Sequence, residues 1–494
     1  MEHLNEVIES LSKGKMKTNI KRYERSFTIH DNVHLMMIRV DNEKSIIAAG
    51  KGKLFDELSG ETIVEKGKNC PLSHENRLVL NKYFDYTVPK AFGTKTATIG
   101  LGDRLGLASP GHIQTVEEKG IKPILAQQSI RELTLTNRTM EEMLDAASFA
   151  VFQEGYKGGF GADGDHIKEG ADIENALSLG CSMITLDCSD HIYNSIEHAN
   201  DHEIVAEYEK LSDEIQHYYN NNYLDKTFNV DDLSLTFNQI TLMKNVLLYH
   251  EAIHYTCCIY DEYITKAERE IDFELSIDET ETITSPLSHF FVANELKRHN
   301  ITITSLAPRF CGEFQKGIDY IGDVHQFEVE LREHAFIAAH FGYKLSIHSG
   351  SDKFKVYPII AKHTKGIYHV KTAGTNWLEA VRVIATVNPN LYRKMHTFAL
   401  ENFSEAQKHY HVTPNMSTVL PLEEVKDNEL PNYMNNDAAR QLFHITYGLL
   451  LATKDQVGDY LFRNDVFGTL NDREEEYNKA LVKHIGKHLE LLGL

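Results

Sequence analysis

The chain has 494 residues, 42% hydrophobic and 25% charged, which is ample apolar material for a core and excludes disorder as a reading of the whole chain. Its 51 basic and 72 acidic side chains leave a formal charge of −21, which argues against nucleic acid or an anionic membrane as partner, because both are gathered by basic patches. An anionic small molecule would have to be held by local Arg, Lys or metal charge.

The amino terminus, Met1-Glu-His-Leu-Asn-Glu, has no basic flank followed by an apolar run, and no later stretch approaches the ~18 apolar residues of a membrane span. A cytoplasmic protein is the expectation. The six cysteines (Cys70, Cys181, Cys188, Cys257, Cys258, Cys311) form no CxxC pair and read as reduced core thiols. Twenty-six histidines is a high count, so position must decide which of them are ligands.

Residues 1–95 mix short alternating runs, such as His34-Leu-Met-Met-Ile-Arg-Val40, with turn-rich segments, and read as a small α+β extension. From residue 96 to 375, apolar or β-branched runs alternate with helical stretches, the pattern of a parallel sheet with crossover helices. The predicted strands are Ala97–Leu101, Pro123–Gln127, Lys157–Phe160, Met183–Cys188, Ile271–Ile277, Ile301–Leu306, Lys344–His348 and Ile367–Lys371. Eight is the number that closes a (β/α)8 TIM-type barrel. Residues 194–268, rich in helix formers and tyrosine, read as a helical insertion over one barrel end. Residues 376–494 read as a helical region that packs on the barrel or builds a homo-oligomer contact.

Catalytic groups of such barrels sit at the C-terminal ends of the strands, so polar residues just after each apolar run are the candidates. After the third predicted strand comes Gly161-Ala-Asp-Gly-Asp-His-Ile-Lys168, where Asp165 offers a carboxylate for proton transfer and His166 an imidazole for a metal. A solvated glycine turn is the alternative. His348 ends the seventh strand at the mouth and is a further metal-ligand candidate. Along Ile271-Asp-Phe-Glu-Leu-Ser-Ile-Asp-Glu279 the polar residues Asp272, Glu274, Ser276 and Asp278 share one face. Acids facing a core are costly unless paired or metal-bound, so Glu274 or Asp278 could supply an opposing acid or base. After the sixth strand, Glu313 or Gln315 could add an oxygen ligand, and Arg309 or Lys316 could hold an anion. Arg104, Lys168 and Lys371 are further candidates for substrate contact. Gly100-Leu-Gly-Asp-Arg-Leu-Gly106 has a last spacing one residue too long for a dinucleotide fingerprint, and no phosphate loop, nucleophile elbow or HExxH pair occurs.

Taken together, Gly102-Asp-Arg-Leu-Gly-Leu-Ala-Ser-Pro-Gly-His112, Gly161–Lys168, Ser305-Leu-Ala-Pro-Arg-Phe310 and Leu345-Ser-Ile-His-Ser-Gly-Ser-Asp-Lys-Phe354 resemble the tagaturonate/fructuronate epimerase family. The resemblance runs from about residue 95 to 380, and several long strings in the same order are more specific than any one motif. It implies a metal-dependent 4-epimerase of hexuronate breakdown. It further implies Asp165 as proton acceptor, His166, Gln315 and His348 as ligands of a divalent cation (Zn, Mn, Ni or Co), and a fifth-strand Glu as proton donor. Glu274 is the choice there and Asp278 the alternative, while Glu313 rivals Gln315 as third ligand. Because C4 lies one carbon beyond the position that a C2 ketone activates, retro-aldol cleavage and rejoining of C3–C4 is the expected chemistry. The rival readings are a metal-dependent aldolase, an epimerase of a related ketose, and a non-catalytic sugar-acid-binding protein.

Overall fold

A computed structural model describes residues 20–40, 42–280, 282–408, 410–419 and 421–494. The chain begins there with an antiparallel six-stranded sheet built from Ile20–Arg22, Thr28–His30, Val33–Val40, Glu43–Gly50, Glu61–Val64 and Gly67–Pro71. In Val33–Val40 successive side chains alternate between two apolar faces. Val33, Leu35 and Met37 pack with Leu80, Phe149 and Phe152 from the helices His74–Tyr83 and Met140–Glu154. Met36 and Ile38 face the other way with Ile47. This period of two is why the run is a strand although both of its faces carry buried apolar residues.

Eight parallel strands then close a barrel with helices around it, a (β/α)8 fold: β1 (Thr98–Leu101), β2 (Lys122–Ser129), β3 (Gly161–Ile167), β4 (Met183–Asp187), β5 (Asp272–Ser276), β6 (Ser305–Ala307), β7 (Lys344–Ile347) and β8 (Tyr368–Thr372). Each strand pairs with its neighbours in sequence and β8 returns to β1. The third strand differs from expectation. Lys157–Phe160 is not its core; the polar run Gly161–Ile167 is the strand itself. It escapes a hydrophobicity reading because its inward residues are acids and one outward position is glycine. A Cβ on Gly164 would come within 2.6 Å of Ile167 Cδ1 and 3.1 Å of Ala176 Cβ. The sixth strand is likewise displaced from Ile301–Leu306 to Ser305–Ala307.

The described residues divide into two compact units, one holding 20–90 with 101–162 and 373–487, the other 91–100, 163–372 and 488–494. The first has its main core around Trp377, whose indole N–H donates to the Phe443 carbonyl at 2.8 Å, with Leu378, Tyr392, Leu450 and Leu481. In the second, residues 194–268 form helices Asp201–Tyr208, Asp213–Tyr223 and Gln239–Ile259 and also a hairpin, Thr227–Val230 with Leu233–Thr236. The hairpin goes unseen in a helical reading, because each strand is short and offers only two apolar residues to the covered face, Phe228 and Val230 opposite Leu235 and Leu233, with Phe228 set against Tyr223, Phe237 and Phe290.

All six cysteines are free thiols. Cys70, Cys181, Cys188 and Cys311 are buried, whereas Cys257 is half-buried and Cys258 exposed, since neighbours on the helix Gln239–Ile259 cannot share one face. Among the described residues no helix is long and apolar enough to cross a membrane.

Candidate active site

Strand register assembles the centre of the second unit. Thr185 on β4 lies beside Glu274 on β5, and Glu274 beside Ser305 on β6, so three inward polar residues form one layer. Above them converge Asp163 and Asp165 from β3 and Lys371 from β8. The Lys371 ammonium lies 2.9 Å from Asp163 Oδ2, 2.7 Å from Asp165 Oδ1, 3.0 Å from Glu274 Oε1 and 2.5 Å from Thr185 Oγ1. The Thr185 hydroxyl donates onward to Asp163 or Glu274, and the Ser305 hydroxyl to Glu274 Oε2. Every side chain of this cluster is buried. A buried ion cluster is tolerable only when each charge is met, and one ammonium shared by three carboxylates does so in part. Burial and the neighbouring Asp165 and Glu274 charges push the Asp163 carboxyl up to about 6. Asp165 and Glu274 go the other way: burial favours their neutral forms, but Lys371 and the adjacent imidazoles outweigh it and hold both well below the usual carboxylate range.

Two histidines reach the same space. His166 sits where the β3–β4 register shifts, and its backbone takes a left-handed φ of 53°. Bulges of this kind re-aim side chains beside active sites. Here it turns Asp165 and its neighbour toward one another, with His166 Nδ1 2.7 Å from Asp165 Oδ1. His348 follows β7 directly and places Nε2 2.8 Å from Glu274 Oε1. Its Nδ1 is ion-paired with Asp278 Oδ1 at 3.0 Å, and that carboxylate accepts from the Ser276 hydroxyl at 2.6 Å. The His166 and His348 rings are 4.8 Å apart, and His166 Nε2 is buried without a hydrogen-bond partner. His166, Asp278 and His348 thus bring one potential ligand atom each within 4.8 Å of one another.

The donor set fits a divalent cation. Each imidazole gives one nitrogen to a carboxylate of the barrel wall, as metal-ligating histidines do, while His166 Nε2 is open and His348 Nδ1 faces Asp278, the third member of the group. Imidazole and carboxylate donors suit Zn, Mn, Co and Ni. Charge points the same way, since four carboxylates, Asp163, Asp165, Glu274 and Asp278, face one permanent cation, Lys371. Burial opposes charge on the imidazoles, yet Asp278 and Glu274 push His348 up to about 10, and Asp165 raises His166.

A model of the tagaturonate epimerase family matches residues 23–492. A tagaturonate/fructuronate epimerase of Thermotoga maritima is 41% identical over 477 residues, covering 95% of this chain and 96% of that protein. The chain belongs to the tagaturonate epimerase family. Crystal structures of the fructuronate-tagaturonate epimerase UxaE from Cohnella laeviribosi, native and with one glycerol bound, are each 55% identical over 100% of both chains, with a TM-score of 0.96. As a member of this family the chain is an isomerase.

The remaining candidates of this epimerase-family chain fall in several places. Gln315 is buried; its amide N–H donates to Glu313, and its backbone carbonyl accepts from Lys353 at 2.9 Å. Lys168 is half-exposed and pairs with Asp190 at 2.7 Å and Asp187 at 3.7 Å. The Arg309 guanidinium donates to the Thr280 carbonyl. Arg104 belongs to the other unit, where its buried guanidinium pairs with Glu132 at 2.6 Å and lies 3.7 Å from the centre of the Tyr447 ring. Asp272, on the same strand face as Glu274, accepts instead from the backbone N–H groups of Phe92 and Gly93 at 2.7 and 2.9 Å. Thr185 and Ser305 escape a reading of the sequence. Their only signal there is a hydroxyl at an inward position of an apolar run, which many core strands carry.

Proposed function

We propose that this chain interconverts D-tagaturonate and D-fructuronate by inverting C4, using a divalent cation held by His166 and His348 with an oxygen ligand from Asp278 or Gln315. The observation that carries the reading is the pair of imidazoles with rings 4.8 Å apart, His166 bonded to Asp165 and open at Nε2, His348 bonded to Glu274 and facing Asp278 through Nδ1. The cation would supply Lewis acidity at the C2 ketone end of the substrate.

The C4 hydrogen is not acidic, being one carbon beyond the position that the ketone activates, so inversion proceeds by retro-aldol cleavage. Asp165, held ionised, accepts the proton of the C4 hydroxyl as C3–C4 breaks, leaving a three-carbon enediolate and an aldehyde that carries the carboxylate. The aldehyde rotates, the C3–C4 bond re-forms on its other face, and the new C4 alkoxide takes a proton from the opposite side. Glu274 is the proposed donor. It is ionised at rest, so it must first gain that proton, and the Lys371 ammonium, 3.0 Å from Glu274 and 2.7 Å from Asp165, can deliver one and recover it from Asp165. Exchange of roles between Asp165 and Glu274 in the two directions satisfies reversibility. The Lys371 ammonium, in contact with both, keeps their charges tolerable in a buried site.

NMR of D-fructuronate incubated with the protein, with and without a chelator, tests the proposal. Tagaturonate is expected only with metal. Turnover undiminished by exhaustive chelation would remove the cation from the reading, and accumulation of free aldehyde would make the enzyme an aldolase.

A further inference from the structure

We propose that Lys316 binds the carboxylate of the substrate and sets the preference for a sugar acid over a neutral ketose; this rests on the sugar-acid reading above. Lys316 lies in the segment after β6 and Ser349 in the segment after β7, both on the C-terminal side of the barrel strands, where substrates of such barrels bind. The Lys316 ammonium donates to Ser349 Oγ at 2.8 Å, one residue beyond His348. Ser349 holds a left-handed backbone, φ 49°, a conformation that non-glycine residues keep only where their surroundings impose it. Lys316 is half-buried, and among the described residues it forms no ion pair.

The neighbouring cations are committed elsewhere. Lys371 is shared by three carboxylates, and Lys168 is paired with Asp190 and Asp187. Lys353, fully buried, donates to the backbone carbonyls of Gln315, Ile318 and Ser351 at 2.9, 2.6 and 2.9 Å. Two of these bonds fasten the chain on either side of Lys316 to the segment after β7. Lys316 is therefore held at the site by a stiff loop, with one of its three N–H donors on a neutral hydroxyl and the others open. A chain of charge −21, with four carboxylates in the site, repels an anionic substrate unless a cation meets it. An ammonium fixed this way supplies charge-assisted hydrogen bonds to a carboxylate and nothing comparable to a CH2OH group.

The experiment compares wild type, Lys316→Met and Lys316→Arg, each saturated with metal. It measures kcat and KM for D-fructuronate, and inhibition by D-fructose, which carries CH2OH in place of the carboxylate. Lys316→Met is expected to raise KM for fructuronate about 10- to 100-fold, the worth of one hydrogen bond to a charged group. Its kcat and the KI of fructose should stay within a few-fold of wild type, and Lys316→Arg should regain most of the affinity. An equal rise in the fructose KI, an unchanged fructuronate KM, or failure of arginine to rescue would overturn the proposal. Calorimetric binding of fructuronate reads the same contrast without turnover, so a wild type that binds the acid but does not epimerise it would refute the epimerase reading and leave this one decided by the variants.

Discussion

Replacing Lys371 by Met leaves Asp163, Asp165 and Glu274 buried around an apolar side chain of similar length. At an effective dielectric of about 20, each contact of 2.7 to 3.0 Å is worth about 6 kcal/mol of gross attraction. Most of this is offset by the cost of burying the ammonium, and loss of one partner from a buried ion pair costs about 3–5 kcal/mol net. Urea unfolding in the presence of a chelator, so that metal binding does not add to the result, should show a loss of that size for Lys371→Met. Asp163 is the carboxyl nearest to neutral, with its pKa pushed up to about 6, so adding Asp163→Asn to Lys371→Met should restore part of the loss. A coupling of about 1–3 kcal/mol between the two sites is expected. A Lys371→Met protein as stable as wild type, or a coupling of zero, would refute the claim that this ammonium is what makes the carboxylate cluster tolerable.

Asp165→Asn should lower kcat by about 10²- to 10⁴-fold as the proposed base is lost, with metal affinity falling no more than about 10- to 100-fold because Asn still reaches the His166 ring. His166→Ala should instead abolish the thermal stabilisation that added metal confers; if both variants lose metal equally, the division of roles is wrong. Arg104→Met should destabilise by about 3–5 kcal/mol through the stranded Glu132 carboxylate, and Arg104→Met with Glu132→Leu should recover most of it; a selective rise in KM without loss of stability would return Arg104 to substrate binding. Glu474 accepts from Lys21, Lys44 and Tyr23, and although burial opposes its charge, these partners hold its pKa at about 2 against a usual 4.5. A depressed carboxylate stabilises the fold above its unfolded pKa. This contribution, at most about 3 kcal/mol before the burial cost of Lys44 is subtracted, should fade as pH falls from about 4.5 towards 2. Glu474→Gln should accordingly flatten the stability profile over that interval, and an unchanged profile would show that the pair contributes nothing.

Much of the fold is legible in the sequence. Alternating apolar runs and helical stretches specify eight strands because each strand buries an apolar outward face that propensity registers, as Ile184 and Leu186 do on β4 and Leu345 and Ile347 on β7. His348 was legible too, since it follows such a run at the barrel mouth. The strand Gly161–Ile167 was not, because hydrophobic periodicity cannot recognise a strand whose inward face is carboxylate and whose outward face is trimmed to glycine. Nor could spacing separate Asp272 from Glu274: one face of one strand carries both, yet the first binds the backbone at Phe92 and Gly93 while the second meets Lys371 and His348. Composition and periodicity by themselves determined an acidic protein with a parallel barrel at its centre and a polar cluster at the strand ends. Which acid meets which base was decided only by barrel closure, because shear and register bring β3, β5 and β8 side chains, more than 200 residues apart in the case of Lys371 and Asp165, within hydrogen-bonding distance. Local sequence carries no record of that cross-barrel geometry.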